Sequence, residues 1–138
     1  MIKKIGAKIF AQIIHKKNSK WIKNPLDAQQ NTFNYLIEKA RNTDFGKDHS
    51  FDKIKTHKDF QSSVPVRDYE GLRPYVEKMM KGKPSVLWPG KPLYYAKTSG
   101  TTSGVKYIPL TKESMPTHIT AARDALLNYI HETGNTDF

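Results

Sequence analysis

A chain of 138 residues with 37% hydrophobic and 11% aromatic side chains can bury a modest core, and no stretch of it approaches the roughly 18 apolar residues of a membrane span. It has no cysteine, which excludes a disulfide framework and thiolate metal sites. The net charge of +10 is uneven: residues 1–26 carry seven lysines and no carboxylate, so the remainder is close to balanced. Those lysines also break up any apolar stretch that a secretory leader would need, and cytoplasm is the expected location.

In chain order, Ile2, Ile5, Ile9 and Ile13 recur at helical spacing, joined by Phe10 and Ile14, and predict a basic amphipathic helix over residues 1–23. Its isoleucine face can pack on the body of the protein. The alternative is a non-catalytic role, with the helix lying on an anionic membrane surface or on RNA. The aromatic interleaving that stacks bases is missing there, so no nucleic acid is expected. Asn24-Pro25 reads as an N-cap followed by proline at the first helical position, with Leu26, Gln30, Phe33, Leu36, Ile37 and Ala40 on one face of a helix ending near Arg41.

Residues 42–50 are polar and read as turn. Asp44-Phe45-Gly46 imitates the magnesium-binding tripeptide of kinases, but no kinase Gly-rich loop or catalytic loop accompanies it. Thr56 caps a short helix through Phe60, and Asp68 caps another carrying Tyr69, Leu72 and Tyr75, with Pro74 as its expected break. Lys81 to Pro84 form a turn. Val86-Leu87-Trp88 and Leu93-Tyr94-Tyr95-Ala96 read as short strands around Pro89-Gly90, with a further short strand at Tyr107-Ile108. A last helix begins between Thr111 and Pro116 and stops at Gly134, with Met115, Ile119, Ala122, Leu126 and Ile130 as its expected buried face. The histidines (His15, His49, His57, His118 and His131) show no metal-ligand spacing.

The most informative segment is Thr98-Ser99-Gly100-Thr101-Thr102-Ser103-Gly104-Val105-Lys106-Tyr107-Ile108-Pro109. Hydroxyls and bare backbone N–H groups are donors, and glycines let a backbone turn sharply against a ligand. A lysine at the far end adds a compact charge suited to phosphate. The segment therefore reads as a loop that wraps a polyphosphate, against the plainer alternative of a flexible surface loop. It is not a Walker A loop: three residues, not four, separate Gly100 from Gly104, Val105 precedes Lys106, and Tyr107 stands where the magnesium-binding hydroxyl belongs. The dinucleotide fingerprint Gly-x-Gly-x-x-Gly is also absent.

The string resembles the Ser/Thr-Gly-rich signature loop of adenylate-forming enzymes. Its ending, Lys106-Tyr107-Ile108-Pro109, is similar to the auxin-responsive-promoter family of acyl acid–amido synthetases within that superfamily. Thr43 to Lys47, Val64 to Glu70, Pro74 to Met79 and Val86 to Gly90 follow in the order that family shows. The resemblance covers about residues 21–138. Two departures stand out: the loop is one residue shorter between Gly104 and Lys106, and Thr98 replaces the more usual serine.

The resemblance implies an α/β fold, this chain being the N-terminal portion (residues 24–138) of the large domain of an adenylate-forming enzyme. That portion would be mostly helical, with short strands around the phosphate loop. The rest of the acyl pocket, the adenine-binding segment and the acceptor site are expected beyond Phe138, so the fragment alone is expected to be inactive. The implied reaction uses ATP and Mg²⁺ to activate a small carboxylic acid as an acyl-adenylate, then passes the acyl group to an amino acid or amine. An acyl-CoA-type ligase is the alternative with the same first step. Ser99, Gly100, Thr101, Thr102, Ser103, Gly104 and Lys106 are the expected ATP phosphate-binding residues. Arg123 is a candidate for the acyl substrate's carboxylate, its plainer alternative being a pair with Asp124 or Glu132. No catalytic residue and no metal ligand is identifiable.

Overall fold

The computed structural model describes residues 2–99 and 104–137, the side chain of Ile2 excepted. The described residues form α1 (Ile2–Lys23), α2 (Pro25–Ala40), α3 (Asp44–Asp48), a 3₁₀ turn (Phe51–Lys53), α4 (His57–Ser63) and α5 (Tyr69–Met80). They continue with β1 (Tyr94–Lys97), β2 (Tyr107–Leu110) and α6 (Ser114–Thr133). Helix thus dominates, with one small two-stranded sheet. No described helix is long and apolar enough to cross a membrane. The chain divides into two compact units, residues 1–30 with 113–138, and residues 31–112.

In the first unit α1 packs on α6. Lys4 pairs with Asp137, His15 Nδ1 lies 3.5 Å from Asn128 Oδ1 and Asn18 bonds Asp124, so the two helices run antiparallel. Their seam is Ala11 and Ile14 against Leu127 and Ile130, with Ala7 beside them. This corrects the expected faces. Ile5, Ile9 and Ile13 are 53%, 55% and 58% exposed, and Ile119 and Leu126 are also turned outward. Two stripes on α1 have helical period, and the one carrying Ala7 and Ala11 wins the seam because small side chains let helix backbones approach closely while Ile14 fills the space beyond them. Each fully buried isoleucine or leucine contributes about 2 kcal/mol. Gly134 ends α6 at φ 68°, its N–H bonding Ile130 O at 2.9 Å, as the sequence predicts.

Asn24 stands at the N-cap position of α2 with Pro25 as its first residue, as expected, but its side chain does not cap that helix. Its side-chain amide donates to Lys20 O at 3.1 Å and closes α1 instead, while its carbonyl accepts from Ala28 N.

In the second unit the core is Ile37, Ala40, Phe51 and Ile54, ringed by Phe33, Phe45, Phe60, Val64 and Trp88. Of the face expected on α2, Ile37 and Ala40 are buried, whereas Leu26 and Leu36 are exposed. Residues 44–48, read as turn, are a short helix. Thr43 nucleates it: fully buried, it donates through Oγ1 to Ala40 O at 2.7 Å and accepts from Gly46 N at 3.0 Å. The next two first-turn donors, Asp44 N and Phe45 N, go to Ser85 O and Val86 O at 3.0 Å each. That explains a second difference. Residues 86–88 are not a strand, because the carbonyls of Ser85 and Val86 serve α3 instead of a ladder, and Val86 is completely buried there.

The two remaining caps form as read. Thr56 and Asp59 make a reciprocal capping box at α4, and Asp68 accepts from Gly71 N at α5. Pro74 does not break α5. It removes one backbone donor in the middle of the helix, and the burial of Val76 and Met79 beyond it holds the helix continuous.

Candidate functional site

The loop is carried by the β1–β2 pair, which is antiparallel with Tyr94 opposite Leu110 and Lys97 opposite Tyr107. The pairing extends past both strand ends: Leu93 N donates to Leu110 O at 2.8 Å, and Thr98 N donates to Lys106 O at 3.0 Å. The second bond ties the neck of the loop. It brings Ser99, at the exit of β1, and Lys106, at the entrance of β2, to the same end of the ladder. Gly100, Thr101, Thr102 and Ser103 lie outside the described residues.

Because Lys106 O and Leu110 O face β1, the alternation of a strand turns the backbone groups of Tyr107 and Pro109 to the outer edge. Proline is harmless there, having no N–H to leave unpaired. The outer groups of Tyr107 are met by a side chain from α5. The Tyr69 hydroxyl accepts from Tyr107 N at 2.8 Å and lies 3.4 Å from Tyr107 O, to which it donates.

Gly104 sits at φ 78°, with nothing within 4 Å of where a Cβ would stand. Backbone conformation, not crowding, therefore calls for glycine there. Lys106 is half-buried, and its Nζ lies 5.9 Å from the centre of the Tyr69 ring. Arg73 approaches the same ring at 5.4 Å and is gripped by Glu70 through two bonds of 2.7 Å. That hydrogen-bonded Arg73 holds the Glu70 carboxyl below its ordinary range, with the nearby charge of Lys106 a smaller influence. Lys106 thus stands at the neck of the loop with the neighbouring carboxylate, Glu70, already engaged by Arg73.

Arg123, on α6 in the other unit, directs Nε and Nη2 onto Asp124 Oδ1 at 2.8 and 2.6 Å. Asp124 also accepts from Asn18 at 3.2 Å, and its carboxyl is held below the ordinary range chiefly by Arg123. The guanidinium further lies 5.9 Å from the centre of the Phe10 ring. Its fork is thus turned onto a neighbouring carboxylate, the plainer of the two sequence readings.

One juxtaposition was invisible in the sequence. His15 and His131 stack at 3.8 Å and 17°, with Glu132 Oε1 4.0 Å from His15 Nδ1. This is the one group among the described residues with ligand atoms close enough to share a metal ion. Near-parallel stacked imidazoles aim their in-plane lone pairs side by side, a poor arrangement for gripping one ion. Among the described residues of the loop-bearing unit, no such group stands ready for Mg²⁺.

Comparison with known proteins gives the family. The family model for the GH3 family N-terminal domain matches residues 14–136. The chain belongs to the GH3 family, the acyl acid–amido synthetase family that its loop resembles. It is 41% identical over 58 residues to a probable indole-3-acetic acid-amido synthetase, GH3.13, of Oryza sativa subsp. japonica, covering 41% of this chain and 12% of the relative. It is 28% identical over 95 residues to the indole-3-acetic acid-amido synthetase GH3.2 of Arabidopsis thaliana, covering 67% and 17%. With GH3.15 of the same plant, also an indole-3-acetic acid-amido synthetase, it shares 40% identity over 78 residues, covering 54% and 13%. The chain thus spans less than a fifth of the length of each of these relatives. No solved structure matches it.

Proposed function

We propose that this chain is the phosphate-binding part of an adenylate-forming large domain, in an enzyme that joins a small carboxylic acid to an amino acid or amine at the expense of ATP. The observation that carries the reading is the hairpin neck. The Thr98–Lys106 bond, the left-handed Gly104 and the half-buried Lys106 hold a Ser/Thr/Gly segment at one end of a ladder, in a chain that belongs to the GH3 family.

In the proposed first step a carboxylate oxygen of the acid attacks the α-phosphorus of ATP, the bond to the bridging oxygen breaks, and pyrophosphate leaves. In the second, the acceptor's amine attacks the acyl carbon and AMP departs as the amide forms. Neither step needs a protein nucleophile, since the substrate carboxylate is the nucleophile of the first. The work left to this chain is electrostatic. Negative charge grows on the departing pyrophosphate, and preorganised donors stabilise it most where water is excluded. Ser99, Gly100, Thr101, Thr102, Ser103 and Gly104 would contribute hydroxyl and backbone N–H donors, with the Lys106 ammonium as the fixed charge. Mg²⁺ bound to the nucleotide would neutralise further charge, and we assign it no ligand in this chain.

The relatives are amido synthetases by name, which favours an amine acceptor over the thiol of an acyl-CoA ligase. Their names likewise favour small-molecule partners over nucleic acid or a membrane surface. In the complete enzyme, Lys106→Ala should raise the ATP requirement more than the acid requirement in ATP–pyrophosphate exchange. The reverse order would move Lys106 to the acyl side.

A further inference from the structure

We propose that Tyr69 is a positioning residue for the loop, acting on bound phosphate through Lys106; this rests on the phosphate-binding reading of the loop given above. A two-stranded ladder is marginal by itself, and its outer edge normally frays unless something pairs with it. At the mouth of this loop the outer edge is met by one phenol. Its hydroxyl accepts the Tyr107 N–H and donates to the Tyr107 carbonyl, standing in for a third strand at the residue next to Lys106. Tyr69 is the first residue of α5, a capped helix with Val76 and Met79 buried, so the clamp is tied to a rigid element.

The ring of the same residue acts on the lysine itself. Lys106 Nζ lies 5.9 Å from the Tyr69 ring centre, so the flexible stem has a preferred direction before any ligand arrives. Arg73, the other cation at that ring, lies 5.4 Å from its centre with its charge paired to Glu70 through two bonds. One side chain thus fixes both the backbone that bears the lysine and the lysine's ammonium. Spacing along the chain gives no hint of this, because Tyr69 stands 38 positions before Tyr107.

The test uses the complete synthetase, with ATP as the probe in calorimetric binding and amide hydrogen exchange on the ligand-free protein. Tyr69→Phe keeps the ring but loses the hydroxyl. It should deprotect the Tyr107 amide and weaken ATP about fivefold at unchanged stoichiometry, a small unfolded fraction being visible as lost stoichiometry instead. In a Lys106→Met background the same substitution should change ATP affinity less than about twofold, because no ammonium remains to be misplaced. If Lys106→Met weakens ATP while Tyr69→Phe leaves it unchanged, or if the two effects simply add, the clamp is only structural and the positioning role is overturned. If Lys106→Met itself leaves ATP binding unchanged, the phosphate reading of Lys106 fails first, and this inference with it.

Discussion

Alanine at position 46 is a severe perturbation whose size follows from geometry. A Cβ added to Gly46 would stand 2.1 Å from Ala40 O, 2.9 Å from Arg41 O and 3.0 Å from the Ala40 carbonyl carbon, where ordinary contact begins at 3.4 Å. These are backbone atoms and cannot rotate aside. Ala40 O is moreover held in place by two donors, Thr43 N at 3.0 Å and Thr43 Oγ1 at 2.7 Å. Relief requires α3 to pull away from the end of α2, losing the Thr43 cap and unpairing the amides that reach Ser85 and Val86. Overpacking costs about 1–3 kcal/mol, a lost cap about 1 kcal/mol, and buried polar groups left unpaired about 1–3 kcal/mol. These contributions overlap, and we expect a loss of about 4 kcal/mol. In urea unfolding followed by circular dichroism, the midpoint should fall by about 2 M or more. Gly6→Ala is the control. It lies inside α1 with nothing within 4 Å of the new carbon, so the same change should raise stability by about 0.5–1 kcal/mol. A Gly46→Ala protein with an unchanged midpoint would refute the packing of α3 against α2.

Other substitutions probe neighbouring claims. Thr43→Val keeps the shape but removes both hydroxyl bonds and should cost about 2 kcal/mol, whereas Thr43→Ser should cost less than 1 kcal/mol, measured as ΔΔG in the same unfolding assay. Gly104→Ala forces a side chain into the left-handed region and should weaken ATP about tenfold in the complete enzyme with little change in folding; unchanged binding would mean the loop does not need that conformation. The Asp44 carboxyl, 2.5 Å from Lys83 Nζ, is held below the ordinary range chiefly by that bond. A depressed folded value means stability that is present above the unfolded pKa of about 4 and lost as pH falls through the folded value. The stability gap between the wild type and Lys83→Met should therefore narrow below about pH 4, and a gap independent of pH would show that the pair contributes no linkage.

The local signals in the sequence were legible because they act within a few residues. Thr56 with Asp59, Asp68 with Gly71 and the terminal Gly134 cap their helices as the spacing predicts. The hairpin strands at 94–97 and 107–110 fall where β-rich residues flank the glycine loop. Reading fails where a long-range partner decides. Helical period alone cannot choose between the isoleucine stripe of α1 and the Ala7–Ala11–Ile14 stripe, since the choice depends on how closely α6 approaches. The strand pattern of residues 86–88 gives way because carbonyls of Ser85 and Val86 are drawn to α3, more than forty residues upstream. The phosphate reading proposed for the loop rests on its residue types, whereas the Tyr69 clamp and the His15–His131 stack exist only through tertiary contact.

The central claim is that the Ser/Thr/Gly loop binds the phosphates of ATP while a carboxylic acid is activated. It is tested most directly by ATP–pyrophosphate exchange in the complete enzyme, comparing wild type with the Ser99→Ala, Thr102→Ala double variant. The account predicts a fall in exchange of about a hundredfold or more, with the unfolding midpoint unchanged. Exchange at the wild-type rate in a folded double variant would contradict it.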